Sequence, residues 1–266
     1  MAEPGRMTGM RMPTVELSGG VPMPMAGLGT ARLLGEPGYA AVREALDVGY
    51  RLVDTATAYR NEPEVGRALR DSGVDRSEVF VTTKLPPEEA GRETRVLDDS
   101  LRALGVDHVD LWLVHWPPGG RATVRTWEAF LAAREAGKAR AVGVSNHTLG
   151  QLDELTAATG IAPAVNQVPW SPSRHDPVTL AASRERGVVV EGYSPLSGTN
   201  LAEPALAAVA DAHGVTAARV VLRWHLHHGI VVIPKSGDPA RLRANLDLWT
   251  FALTPEEIAA IDALAG

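Results

Sequence analysis

RLVDTATAY (51–59) decides the fold reading: an apolar run ends on an acid, Asp54, and the polar turn that follows carries Tyr59. The same layout returns in VFVTTK (79–84), which closes on Lys84, and in VDLWLVH (109–115), which closes on His115. These runs are nearly all apolar rather than alternating, as suits strands of a parallel sheet covered on both faces. Working outward, MAGLG (25–29), ARAVGVSN (139–146), PAVNQVP (163–169), VVVEGYSP (188–195) and IVVIPK (230–235) raise the number of such strands to eight. Amphipathic stretches lie between them: YAAVREALDVG (39–49), EVGRALRDSG (64–73), VLDDSLRALG (96–105), WEAFLAAREAGK (127–138) and LDELTAATG (152–160). Several end in glycine, the residue that closes a helix in the left-handed conformation most cheaply. Eight strand–helix units in a chain of this length predict a (β/α)8 TIM barrel.

Three segments decorate the repeat. TVEL (14–17) and VPMP (21–24) flank Gly19-Gly20 and predict an N-terminal β-hairpin. LAEPALAAVADAHG (201–214) and TAARVVLRWHLHHG (216–229) place two helices between the seventh and eighth strands. TPEEIAAIDALAG (254–266) predicts a terminal helix, with Thr254 as N-cap, Pro255 at the first helical position and Glu257 completing a capping box. No Pro/Gly/Ser-rich linker interrupts the pattern, so residues 13–266 read as one barrel domain and 1–12 as a disordered start.

Strand ends in a parallel barrel converge on one face, so Asp54, Tyr59, Lys84 and His115 can meet there although they are far apart in sequence. Together they suit proton delivery. A phenol has a pKa of about 10, and a neighbouring cation lowers it by stabilising the phenolate. Lys84 can be that cation, Asp54 can hold Lys84 charged and in place, and His115 can orient a substrate oxygen. None is a strong nucleophile, so protonation of a carbonyl oxygen during reduction is the chemistry that needs this set. Taken singly, Tyr59 could be an ordinary loop tyrosine and His115 a core histidine. A lysine closing an apolar strand is more telling, because a buried lysine needs a partner.

The 266 residues carry 26 Lys and Arg against 32 Asp and Glu, a net charge of −6 with no basic cluster, so no nucleic-acid footprint is present. The chain has no cysteine, which excludes disulfides, thiolate catalysis and cysteine-ligated metal and is consistent with a cytoplasmic protein. No apolar run approaches the ~20 residues of a membrane span. His225, His227 and His228 stand together in HLHH, but His225 and His227 are two apart and face different sides of a helix, so no metal site is assigned.

In these motifs the chain resembles the aldo-keto reductases, and most of all the bacterial members typified by 2,5-diketo-D-gluconate reductases. The resemblance runs from about Pro13 to the C-terminus. It rests on GLGT (27–30), VGYRLVDTATAYRNEPEVGRAL (48–69), TTKL (82–85), VDLWLVHWP (109–117), GVSNH (143–147), VNQV (165–168), YSPL (193–196) and IPKS (233–236), in family order. It implies NAD(P)H-dependent interconversion of carbonyls and alcohols, with the cofactor extended across the strand C-termini and Tyr59 donating a proton to the carbonyl oxygen. It places Gly29 and Thr30 near the nicotinamide ribose. Ser145, Asn146 and Gln167 would bond the carboxamide, although Ser-Asn after a strand is also ordinary turn chemistry. Tyr193 would stack under the nicotinamide, with Ser194, Pro195 and Leu196 following toward the pyrophosphate.

Lys235, Ser236, Gly237, Arg241 and Asn245 lie where the family holds the adenosine 2′-phosphate, at a helix start suited to an anion. The chain departs from the family there: Asp238 stands where a small neutral residue often touches the phosphate, and Ala244 replaces a glutamate. NADPH is therefore the expected cofactor and NADH the alternative. Ala31, Tyr59, Pro86, His115 and Trp116 are expected to form the substrate pocket. Ala31 and Pro86 replace large aromatics of relatives, the loop WPPGGRATVRTW (116–127) is short, and no closing tail follows, so the pocket should be wide and wet. The expectation is a monomeric reductase of small aldehydes and ketones. The rivals are an alcohol dehydrogenase working in the oxidation direction, a cofactor-binding redox sensor with little turnover, and a metal-dependent barrel hydrolase.

Overall fold

The structure is a computed structural model that describes residues 12–121 and 123–265. The disordered start expected for residues 1–12 lies outside the described residues except for Met12, which is half-buried against the core. Strands β1 (Thr14–Leu17) and β2 (Val21–Pro24) form the N-terminal hairpin, with Leu17 opposite Val21. Gly19 and Gly20 take φ of +91° and +76° in its turn, a backbone conformation that a side chain disfavours.

The eight remaining strands form one parallel sheet in sequence order: β3 (Leu28–Gly29), β4 (Leu52–Asp54), β5 (Phe80–Leu85), β6 (Val109–Val114), β7 (Ala139–Ser145), β8 (Val165–Pro169), β9 (Val189–Tyr193) and β10 (Val231–Val232). Its two edges meet. Ala26 bridges Val232 in parallel, Gly27 N donates to Val232 O at 2.9 Å, and Val232 N donates to Met25 O at 3.0 Å. The sheet thus curls into the barrel that the sequence predicts. The first and last strands are shorter than their apolar runs. Pro234 has no N–H to continue β10. A Cβ on Gly27 would overlap Leu52 Cδ2 at 1.8 Å, so the chain passes close to β4 only because that side chain is missing.

Among the described residues ten α-helices alternate with or follow the strands: α1 (Gly35–Val48), α2 (Glu62–Asp71), α3 (Glu93–Leu104), α4 (Val124–Glu135), α5 (Leu149–Thr159), α6 (Pro177–Glu185), α7 (Pro204–His213), α8 (Ala217–His227), α9 (Pro239–Leu246) and α10 (Pro255–Asp262). Left-handed Gly49, Gly105, Gly160 and Gly214 close α1, α3, α5 and α7 as expected. Thr254 and Glu257 form the predicted capping box of α10. The sequence reading missed α6, whose signal was present: Asp176 accepts from Val178 N and Thr179 N, and Pro177 follows it.

Two apolar layers hold the barrel. Inside it, Leu52, Phe80, Leu111, Leu113, Val165 and Val231 pack against Leu17, Val21 and Met23 of the hairpin, which plugs the end where the strands begin. Outside it, Val53, Val81, Trp112, Val142 and Val144 face α1 to α5, with Trp112 stacked on Phe130 at 3.7 Å. Burying one such side chain contributes roughly 1.5–3 kcal/mol. With one end plugged, the open face lies where the strands finish. Among the described residues no single helix is long and apolar enough to cross a membrane. The α7–α8 pair would be only as a unit, but it bends by 91° and buries Leu206, Val220, Val221 and Trp224 in the core.

Candidate active site

β4 and β5 finish side by side, with Asp54 paired to Thr82, and this register delivers Asp54 and Lys84 to one place. Lys84 Nζ donates to Asp54 Oδ1 at 2.6 Å and to Thr55 O at 2.8 Å, and the lysine is completely buried. Burial pushes its pKa down, but Asp54 foremost, with Tyr59 and Glu191, outweighs this and holds the ammonium above the ordinary value. Tyr59 ends a short 3-10 turn (Thr57–Tyr59) just after β4, and Arg60 behind it takes the left-handed conformation at φ +56°. The turn is pinned because Thr57 Oγ1 donates to Lys84 O at 3.0 Å. Lys84 Nζ lies 5.1 Å from the Tyr59 ring centre, and the His115 ring meets Tyr59 edge to face at 5.7 Å. The four residues that sequence reading grouped are therefore neighbours.

One expectation is corrected. Lys84 is the largest influence on Tyr59 and lowers its pKa, yet burial and the negative charges of Asp54 and Glu191 outweigh it, so the phenol ends above its ordinary value. The hydroxyl is a proton holder at rest, which suits a donor. His115 is pushed down to about 4, first by burial and then by the Lys84 charge, so near neutral pH it is an uncharged imidazole able to share hydrogen bonds.

Behind Asp54 lies a network that crosses the barrel to β8 and β9. Gln167 Nε2 donates at 2.8 Å to Asp54 Oδ2 and at 2.8 Å to Glu191 Oε2. Glu191 is fully buried, and its Oε1 has no partner among the described residues. Burial first, and the charge of Asp54 second, raise its pKa to about 8. Sequence reading missed Glu191, although an acid inside VVVEGY was a visible anomaly. It missed Asn61 too. Buried Asn61 accepts from Thr55 Oγ1 at 2.7 Å and donates to Thr30 O and Leu33 O, tying the loops after β3 and β4 together.

The other expected residues gather round the same face. Thr30 N and Oγ1 both donate to Asp54 O, at 3.0 and 2.9 Å. Gly29 passes so close to β10 that a Cβ would sit 2.7 Å from Ile233 O. Ser145 Oγ donates to Gln167 O at 2.8 Å, and Tyr193 donates its hydroxyl hydrogen to Asn146 Oδ1 at 2.9 Å. Asn146 and Ser194 hold φ of +60° and +53°, strained for residues with side chains. Pro195 is buried, while Leu196 and the Tyr193 ring are half-buried. Of the pocket residues, Trp116 is 49% exposed at the rim, Ala31 is half-buried, and Pro86 is buried and offers little wall. A separate cavity of about 980 Å³ lies at the hairpin end, lined by Pro13, Pro22, Arg51, Phe80 and Arg140, and holds none of this set.

At the far end of the face, Lys235 and Arg241 are exposed, with no ion pair among the described residues. Ser236 and Asn245 are buried and Gly237 is exposed. Asp238 caps α9, its Oδ1 accepting from Arg241 N at 2.9 Å. The carboxylate therefore takes one of the free N–H groups that make a helix start attractive to anions.

The fold and this face have known counterparts. The family model described as Aldo/keto reductase family matches residues 26–265. The 2,5-diketo-D-gluconic acid reductase B of a Corynebacterium species is 45% identical over 258 residues, covering 95% of this chain and 93% of that protein. Morphine 6-dehydrogenase of Pseudomonas putida is 42% identical over 271 residues, covering 96% and 92%. The crystal structure of a Bombyx mori aldo-keto reductase in complex with NADP superposes with a TM-score of 0.90 at 32% identity, covering 97% of this chain and 94% of that one. With the barrel, the buried lysine–aspartate pair and the facing tyrosine and histidine already in place, these likenesses settle its kinship: the chain is an oxidoreductase of the aldo/keto reductase family.

Proposed function

We propose that this enzyme reduces small aldehydes and ketones with NADPH, Tyr59 acting as the general acid. The observation that carries the proposal is the fully buried Lys84, held charged by Asp54 at 2.6 Å and set 5.1 Å from the Tyr59 ring. As the phenol releases its proton to a carbonyl oxygen, negative charge develops beside this ammonium. The interaction is stronger in the transition state than before it, which is the condition for lowering a barrier. His115, uncharged and edge-on to Tyr59, orients the carbonyl oxygen by a hydrogen bond.

The face fits a dinucleotide. Tyr193 offers a half-buried ring beside Asn146, and Gln167 keeps its Oε1 for an amide because its Nε2 is already committed. Gly29 and Thr30 line the approach, and exposed Lys235 and Arg241 await an anionic group. When bound, the dihydronicotinamide supplies the hydride. Asp238 sits at the helix start itself, so its charge weakens the attraction for a 2′-phosphate without cancelling two cations.

The half-exposed Trp116 rim and small Ala31 favour a permissive pocket over a cage for one bulky apolar ketone. A panel of unrelated aldehydes, α-dicarbonyls and ketones, followed by NADPH and NADH absorbance in parallel, tests the proposal. Several small carbonyls should turn over, faster with NADPH. Binding of NADPH with no turnover across the panel would support the redox-sensor reading instead.

A further inference from the structure

Apart from the catalytic cluster, His175, His228 and Asp262 converge from three elements. His175 precedes the cap of α6, His228 is the C-cap of α8, and Asp262 ends α10. One potential ligand atom from each lies within 4.8 Å of the others. His228 Nε2 is 2.9 Å from Asp262 Oδ1, and His175 Nδ1 is 3.5 Å from the same oxygen. They line a groove of about 450 Å³ with Pro177, Leu180 and Arg184.

We propose that these three side chains bind a divalent transition-metal cation of the zinc class, with water completing the coordination. Two lines of geometry carry this. Ligands about 2.0–2.2 Å from a tetrahedral metal stand roughly 3.3 Å apart, and the observed 2.9 and 3.5 Å bracket that spacing. The His175 side chain is also only 6% exposed, and its Nε2, the nitrogen not paired with Asp262, is buried with no partner among the described residues. Its Nδ1, at 3.5 Å from Asp262, is too far for a good hydrogen bond. A buried imidazole with neither nitrogen well satisfied is costly, and a cation bound at Nδ1 would satisfy one of the two. The ring lies 4.8 Å from that of His228 between centres, tilted by 43°, and both pack edge-on against Trp224 at 5.1 and 4.8 Å.

The surroundings match a metal site in a second respect. Trp224 Nε1 donates to Asp262 Oδ1 at 2.7 Å and fixes the carboxylate, as outer hydrogen bonds commonly do for metal ligands. Two imidazoles and one carboxylate are a donor set for Zn²⁺, Ni²⁺ or Cu²⁺ rather than for Mg²⁺ or Ca²⁺. One feature opposes binding: the Arg184 guanidinium, which donates to His228 O, brings a positive charge to the same groove. Of the histidines in HLHH only His228 takes part. His225 is spent on Val221 O and Trp170 O, and His227 lies outside the cluster.

The test uses tag-free, chelator-stripped full-length protein and Zn²⁺ alone, with binding read by equilibrium dialysis and by the thermal midpoint. Wild type should take up one saturable equivalent and melt at higher temperature with Zn²⁺. His175→Gln and His228→Gln should each weaken that binding by at least about tenfold, since loss of even an outer partner typically costs that much. Each should also lose the Zn²⁺-dependent rise, while His227→Gln keeps both. His175→Gln is the safer variant, because the imidazole it removes makes no good hydrogen bond. If His175→Gln binds zinc like the wild type, or if the wild type has no saturable equivalent, the site is refuted. Because the readouts are metal uptake and melting, the result stands whatever carbonyl the enzyme reduces.

Discussion

The two ends of the cofactor face are built by opposite rules. At the chemical end, Lys84, Asp54, Gln167 and Glu191 are all at most 2% exposed and bond to one another across β4, β5, β8 and β9. At the other end, Lys235, Asp238 and Arg241 are exposed, and among the described residues their side chains make only the hydrogen bond that caps α9, while the Asp238 N–H donates to Ser236 Oγ. Buried charges act at low dielectric and lose heavily when a partner is removed. Exposed charges interact weakly and are screened by salt. Under the proposed function the first cluster governs rate and the second cofactor choice, so a substitution at one end should leave the other quantity nearly untouched.

The largest break of that comparison is Tyr59→Phe. A positioned general acid typically contributes 10²–10⁴ in rate, so carbonyl reduction should fall by about that factor in steady-state turnover, with little change in NADPH affinity. Next is Arg241→Ala. It should weaken NADPH binding by roughly ten- to a hundred-fold, as loss of one charge-assisted bond implies, and barely alter NADH. Fluorescence quenching at fixed salt measures both cofactors, and the NADPH loss should shrink as salt is raised. Equal losses for both cofactors would show that Arg241 does not read the 2′-phosphate.

The buried cluster makes a pH-dependent prediction about stability. Between the ordinary carboxyl value of 4.5 and about 8, folded Glu191 holds a proton that the unfolded chain has released. The folded state then binds more protons, so rising pH destabilises it through this group. Glu191→Gln removes that dependence. Its melting temperature should gain on the wild type as pH rises from 5 to 9, as read by calorimetry, and a constant difference would mean that Glu191 does not titrate in this window. The smallest effect expected is at the exposed end: Asp238→Thr keeps a helix cap while removing a charge, and should tighten NADPH a few-fold with NADH unchanged.

Much of the chemical end could be read in the sequence because its polar residues interrupt or close apolar runs. Asp54, Lys84 and His115 each follow a stretch that can only be a buried strand, and a barrel brings such ends together. What the sequence hid was the balance among them. Lys84 pointed to a lowered phenol pKa, but the charges of Asp54 and Glu191 and the burial of Tyr59 reverse the sign, and those depend on packing. Gln167 reaches Asp54 across 113 positions, which no local pattern reveals. The close passage of Gly27 over Leu52 likewise depends on packing that the sequence does not display. Asp238 was legible as a charge where the resemblance places the 2′-phosphate; that it caps α9 requires the backbone geometry of Asp238 to Arg241.

The central claim is that Tyr59 supplies the proton while the binding surface lies elsewhere. The most direct measurement is the single-turnover rate of carbonyl reduction by Tyr59→Phe, taken on the same preparation as its NADPH Kd. The account predicts a rate lowered by about 10²–10⁴ with Kd within about a factor of two to three of the wild type. A rate equal to the wild type at unchanged Kd would contradict it and leave the buried Lys84–Asp54 pair without the role given to it here.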